Sequence, residues 1–228
     1  MSSYFSEASL RFLRGIARHN EKAWFQAHRG DYEDHVRQPF LRLVADLQPA
    51  MTAISPHFRA DPRPVGGSLF RIHRDARYSH DKSPYKTWQG ARLFHERRRE
   101  VAAPSFYVQL QPGGSFVGAG LWHPETGTQR RVRQFIFDNP GGWRRAAHGP
   151  AFRRRFELDH EEMLVRPPRG FPADFEFIDD LRHRNWVAWR PLDDATMTGP
   201  RLLRTLEGDL AALAPFVDYL CAGLDLEF

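Results

Sequence analysis

The apolar residues of this chain change period twice, and that alternation constrains the fold more tightly than any single motif. Near the amino terminus Phe12, Leu13 and Ile16 recur at helical spacing, with Ser6 placed to cap them. After a break near Asn20 the pattern resumes with Val36, Phe40, Leu43, Val44 and Leu47. Two antiparallel helices are expected, the second kinked at Pro39 or beginning later. Beyond Pro64 the period falls to two. Phe70 and Ile72 alternate with Leu69, Arg71 and His73, and Trp88, Gly90, Arg92 and Phe94 alternate with Ala91 and Leu93. Two more alternating runs, 106–110 and 116–122, flank Pro112-Gly113-Gly114, a hairpin signal. The helical period then returns through Leu203, Leu206, Leu210, Leu213, Val217 and Leu220, with Thr198 and Pro200 at its start.

Between the meander and the last helix the signals are shorter. Helices are expected over 129–137 and 143–155, on either side of Asn139-Pro140-Gly141-Gly142, with strands at 162–165 and 186–189, a rigid proline loop at 166–170 and a short helix over 174–182. The expected class is α+β: a central antiparallel meander sheet packed against N-terminal helices and a long C-terminal helix. No repeat or long linker interrupts the 228 residues, so one domain over 1–228 is expected, with a helical part (1–55), a meander (64–125) and a mixed part (126–228).

Composition narrows the class of protein. Hydrophobic residues at 41% and aromatics at 13% supply a packed interior, which excludes a disordered chain. The net charge of +5 rests on arginine, since Lys22, Lys82 and Lys86 are the only lysines among 33 basic residues. A charge of this size permits an acidic partner or nucleic acid without requiring either. Cys221 stands alone, which excludes an internal disulfide and a cysteine metal cluster. No apolar run approaches membrane-spanning length and the first residues do not read as a leader, so a cytoplasmic location is expected.

The chemistry-bearing residues concentrate in 66–86, which combines Arg71, His73, Arg74, Asp75, Arg77, His80, Asp81, Lys82, Tyr85 and Lys86 with the backbone-shaping Gly66, Gly67 and Pro84. If Arg71, Arg74, Arg77, Lys82 and Lys86 converge, they form a cationic pocket for phosphate, bidentate through arginine and a point charge through lysine. Asp75 and Asp81 then orient the arginines, hold a divalent ion or act as a general base, and Tyr85 donates to an anionic oxygen. The same alternation of sign also fits a loop whose charges neutralise one another. His123, at the end of the 116–122 run, is placed to stand beside the loop. The histidines have no metal-ligand spacing, so no metal site is expected, and no cofactor is indicated. Phosphate-loop, nucleophile-elbow and dinucleotide fingerprints are all missing.

These residues also carry a resemblance. Asn20, Trp24-Phe25 and Tyr32-Glu33 precede a run matching Gly66-Gly67-Ser68, Arg71-Ile72, Arg74-Asp75, Arg77-Tyr78-Ser79, Asp81-Lys82 and Pro84-Tyr85-Lys86. Gly118, Gly120, Trp122, Pro124, Arg133, Arg166, Pro168, Gly170 and Phe171 continue the match. The chain so resembles the bacterial and fungal conserved hypothetical proteins grouped as domain of unknown function 2461, with His73 where an aromatic such as Tyr is familiar. The resemblance implies that 66–86 is the segment of interest and adds Arg133 to the ligand-binding candidates; it implies no activity.

Three uses of the segment stay open. It binds a phosphorylated or other anionic small molecule, with or without phosphoryl- or nucleotide-directed catalysis. Or it belongs to a non-catalytic module for nucleic acid or an acidic partner, with the basic surfaces at Arg130, Arg131 and Arg133, Arg144-Arg145 and 153–155 as the groove and Trp88 or Trp122 as stacking platforms. Or it is a structural ion-pair loop.

Overall fold

The computed structural model describes residues 3–75, 77 and 80–228, and shows an α+β architecture in which one sheet has a helical layer on one face only. Tyr78 and Ser79 of the resemblance lie outside the described residues. Helix α1 (Glu7–Arg18) begins where Ser6 and Ser9 form a reciprocal cap, and buries Leu10, Phe12, Leu13 and Ile16. Short helices α2 (Lys22–Ala27) and α3 (Arg29–Tyr32) lead through a π-helical turn (Glu33–Arg37) into α4 (Gln38–Ile54). Pro39 stands in the first turn of α4, directly after the π-helical turn, which is the later start that the sequence allowed.

Six strands pair antiparallel in the order β1-β2-β3-β4-β6-β5: β1 (Phe58–Arg59), β2 (Gln89–His95), β3 (Ser105–Leu110), β4 (Ser115–Leu121), β5 (Glu157–Leu158) and β6 (Trp186–Leu192). β2, β3 and β4 are the expected meander, and β6 joins β4 through the register Gly118↔Trp189. Ala91, Leu93, Phe106, Val108, Val117 and Ala188 face the interior. The last helix, α9 (Leu202–Ala222), packs on them with Leu206, Leu210, Leu213 and Val217. Asp209 of α9, fully buried, accepts from Arg155 Nε at 2.7 Å and Arg190 Nε at 2.6 Å, so part of the arginine surplus serves the interior.

Several expected elements take other forms. The 69–73 run is no strand but part of an irregular arm, held to β2 by the bridge Leu69↔Ala91 and closed on itself by the bridge His73↔Tyr85. At 162–165 there is a lone bridge, Met163↔His183, because Pro167 and Pro168 end the extension. Only a 3₁₀ turn, Asp180–Arg182, stands in 174–182, where Phe171, Phe175 and Phe177 pack with neighbouring aromatics instead of lining one helical stripe. The 129–137 helix is α5 (Thr126–Asp138); 143–155 divides at Gly149 into α6 (Pro140–His148) and α7 (Pro150–Arg153). Thr198 ends a separate helix, α8 (Asp194–Thr198), capped by Asp193, and α9 starts at Leu202.

Candidate functional site

The charged segment folds back as an arm whose backbone closes through Arg74 N–H to Pro84 O (2.8 Å) and Lys86 N–H to Ile72 O (2.9 Å). Its charges meet one another. Arg77 grips Asp75 through Nε (2.9 Å) and Nη2 (2.7 Å), and Arg74 pairs with Asp81 while also donating to Ser83 Oγ at 3.1 Å. Asp81 further accepts from the Ser83 N–H (2.9 Å) and hydroxyl (2.5 Å). Those Ser83 bonds, with the Arg74 pair, hold the Asp81 carboxyl down to about 2; the Arg77 bonds likewise lower that of Asp75. Both acids are thus ionised acceptors at neutral pH. Lys82 Nζ reaches the Arg77 carbonyl at 3.5 Å, and Arg71 is exposed.

Two of the candidate residues of the arm, Tyr85 and Lys86, turn inward instead. Tyr85 is 4% exposed, its ring stacked on Phe25 (4.3 Å, 22°) and its backbone clasped by Asn20 through bonds of 2.9 and 3.0 Å. Lys86 Nζ donates to the Arg71 and His73 carbonyls and sits over the rings of Phe70 (5.7 Å) and Trp88 (5.3 Å). Burial lowers the pKa of its ammonium.

Arg133 lies elsewhere. It is 6% exposed and donates to the carbonyls of Leu181 (2.7 Å) and His183 (2.8 Å), with its guanidinium 5.4 Å from the Trp186 ring. Arg133 is thus engaged by the Leu181 and His183 carbonyls, and among the described residues of the arm the ion pairs Arg74–Asp81 and Arg77–Asp75 are local.

A cleft of about 1720 Å³ instead occupies the sheet face that carries no helical layer. Strand alternation puts one side chain per strand into a row across it, and pairing fixes that row as Arg92, Tyr107, Gly118, Trp189 and Glu157. Phe70, Trp88, Phe116 and the 60%-exposed Trp122 complete aromatic walls. Ring contacts run continuously from Trp88 to Phe70 (6.4 Å), Tyr107 (5.8 Å), Phe116 (5.4 Å) and Trp189 (6.0 Å). Gly118 forms the floor, and β6 explains it: a Cβ there would lie 2.7 Å from the Ala188 carbonyl. Gly120, at φ +138°, faces the Trp186 carbonyl in the same way.

Arg92 is the unusual member. Its Nε is buried without an acceptor, and among the described residues no carboxylate lies within ion-pair distance of it. Burial depresses its pKa, yet a guanidinium stays protonated. Beside it Arg98 lines the cleft, stacked 3.4 Å from the Phe94 ring and bonded to the Gly66 carbonyl (2.9 Å); burial and the neighbouring Arg92 charge lower its pKa too. The Tyr107 phenol, raised well above its usual value by burial, donates to Gln109 Oε1 (3.0 Å) and remains neutral.

Of the candidate residues named from sequence, His123 lines this cleft: it sits at φ 47°, its N–H held by Asn185 Oδ1 (2.8 Å) and its Nδ1 3.6 Å from Glu162. Trp88 and Trp122 line it as well. Arg92, Tyr107 and Trp189 were legible only as members of alternating runs. The available signal was that three such strands place an arginine and two aromatics on the parity opposite the aliphatic core. No group of three or more histidine, cysteine or acidic residues fit to hold a metal occurs among the described residues, and none of their helices is long and apolar enough to cross a membrane. Residues 8–219 match the sequence model of a family described as conserved hypothetical protein (DUF2461). No curated protein and no solved structure matches the chain.

Proposed function

The chain belongs to the DUF2461 family, whose description carries no activity, and from the geometry we propose that it binds an anionic small molecule bearing a flat ring in the cleft on the open sheet face. The anion, a phosphate or carboxylate, sits on Arg92 with Arg98 beside it, and the ring packs among Phe70, Tyr107 and Trp189. One observation carries the reading. A half-buried guanidinium whose Nε has no acceptor and which has no carboxylate partner among the described residues costs folding free energy, and a ligand anion on its outer nitrogens offsets that cost. The aromatic walls supply apolar contact that a solvated arginine would not need, and an apolar cleft with few polar groups is the usual form of a small-molecule site. The arm 66–86 contributes as a wall: Lys86 steadies Phe70 and Trp88, while Arg74 pairs with Asp81 and Arg77 with Asp75. The reading assigns binding and no reaction.

The test is a calorimetric panel of phenyl phosphate, nucleoside monophosphates and aromatic carboxylates against wild type, Arg92→Met and Arg77→Met. At least one ligand binds wild type and Arg77→Met alike, while Arg92→Met weakens it by about 10- to 100-fold, the worth of one charge-assisted contact. Equal binding by Arg92→Met, or a flat response across the panel, would overturn the proposal.

A further inference from the structure

The cleft is larger than one ring and one anion require, and its two ends carry opposite charge. A single small ligand typically fills 300–1000 Å³, against about 1720 Å³ here. Its lining arginines, Arg92 and Arg98, both belong to the β2 end, and no lysine or arginine of the described residues lines the other. There stand Glu157, Asp159 and Glu161, at the edge strand and just after it, none with an ion-pair partner among the described residues. Asp159 is the most informative of them. It is 9% exposed; its Oδ1 accepts from the Glu161 N–H at 3.0 Å, but its Oδ2 is buried with no hydrogen-bond partner. A carboxylate oxygen left so at the wall of an open cleft is costly unless a donor arrives. A cation with no carboxylate partner and three acids with no ion-pair partner, all among the described residues, thus stand at the two ends of one aromatic-walled trough.

Resting on the reading above, we propose that the ligand is dipolar and elongated: its anion lies on Arg92, its flat part on the aromatic row, and an amine reaches Glu157, Asp159 and Glu161. Register fixes the span. Arg92 and Glu157 end the same cross-strand row, four strand spacings apart, which is about 19 Å at about 4.8 Å per spacing. The same charge pattern disfavours a nucleic-acid strand, whose phosphates repeat along its length and would meet three carboxylates at the far end.

The experiment compares three probes by calorimetry: phenyl phosphate, and two phenyl phosphates carrying at the para position a linear chain that ends about 19 Å from phosphorus, in a primary amine or in a methyl group. Each is titrated into wild type and into Glu157→Gln/Asp159→Asn/Glu161→Gln, near-isosteric substitutions that remove the three charges and leave Arg92 in place, with phenyl phosphate binding as the check that the fold is intact. In wild type the amine probe binds about tenfold tighter than its methyl twin, the worth of one charge-assisted contact, and the triple variant abolishes that preference while binding phenyl phosphate as wild type does. Equal affinity of the two long probes in wild type, or an amine preference that survives in the triple variant, overturns the dipolar ligand but leaves the anion site standing. Failure of phenyl phosphate together with both long probes overturns the two readings together.

Discussion

Arg92 separates a binding site from a well-paired protein interior. A residue kept for stability lowers stability when removed; one whose charge waits for a ligand does the reverse. Arg92→Met retains the aliphatic stem and discards the uncompensated charge, so the ligand-free variant should gain about 1 kcal/mol in urea unfolding, in the range that relieving a functional-site cost commonly yields. A loss of that size would mean that the guanidinium is structural. Asp180 supplies the contrast. Burial alone would raise its pKa, but bonds from His148 Nε2 and Trp143 Nε1, both 2.5 Å, hold it below the usual carboxylate value. Because the folded value is the lower one, the stabilisation is complete above the unfolded value near 3.9 and disappears as pH falls through the folded value. Asp180→Asn should therefore cost about 2 kcal/mol at pH 7, and its unfolding curve should converge on that of wild type as the pH is lowered below about 4; a pH-independent gap would contradict the assignment.

At the scale of elements, β4 is the strand on which the cleft depends. It pairs with β3 and β6 along its length, and its glycines let the β6 backbone close against it. Gly120→Ala imposes a left-handed φ on a residue with a Cβ and drives that atom into the Trp186 carbonyl, so it should cost at least about 2 kcal/mol and blue-shift or quench the cleft tryptophans' emission as the floor distorts; unaltered stability would show that β6 can move away. The meander, the cap at Ser6 and the C-terminal helix were legible because each declares itself within a few residues: alternation, Pro112-Gly113-Gly114, or leucines three and four apart. The pairing of β6 with β4 was not, since 64 residues of chain lie between Leu121 and Trp186 and no local pattern encodes which strand a short apolar run joins. The cleft stayed hidden for the same reason. Its row draws one side chain from each of five strands, while the eye is drawn to 66–86, where charge is dense in sequence but its pairs are local: Asp75 with Arg77, Arg74 with Asp81.

Across the whole molecule, apolar contacts run unbroken from Phe5 and Leu10 through the sheet to Val217 and Leu226, tying both ends of the chain into one core. Such a core should unfold as a unit, so far-ultraviolet dichroism and tryptophan emission should report one coincident thermal transition; two separated transitions would divide the chain. On this core the helices cover one face of the sheet and leave the other as a polarised, aromatic-floored trough, with the charged arm as one of its walls. The proposed anion-binding centre lies at Arg92 on that open face and not within the arm. A crystal soaked with 4-iodophenyl phosphate tests this placement, because anomalous scattering locates the ring independently of the protein phases. Iodine is expected between the Tyr107 and Trp189 rings with phosphate density on Arg92; iodine beside Arg74 and Asp81, with the open face empty, would move the centre to the arm.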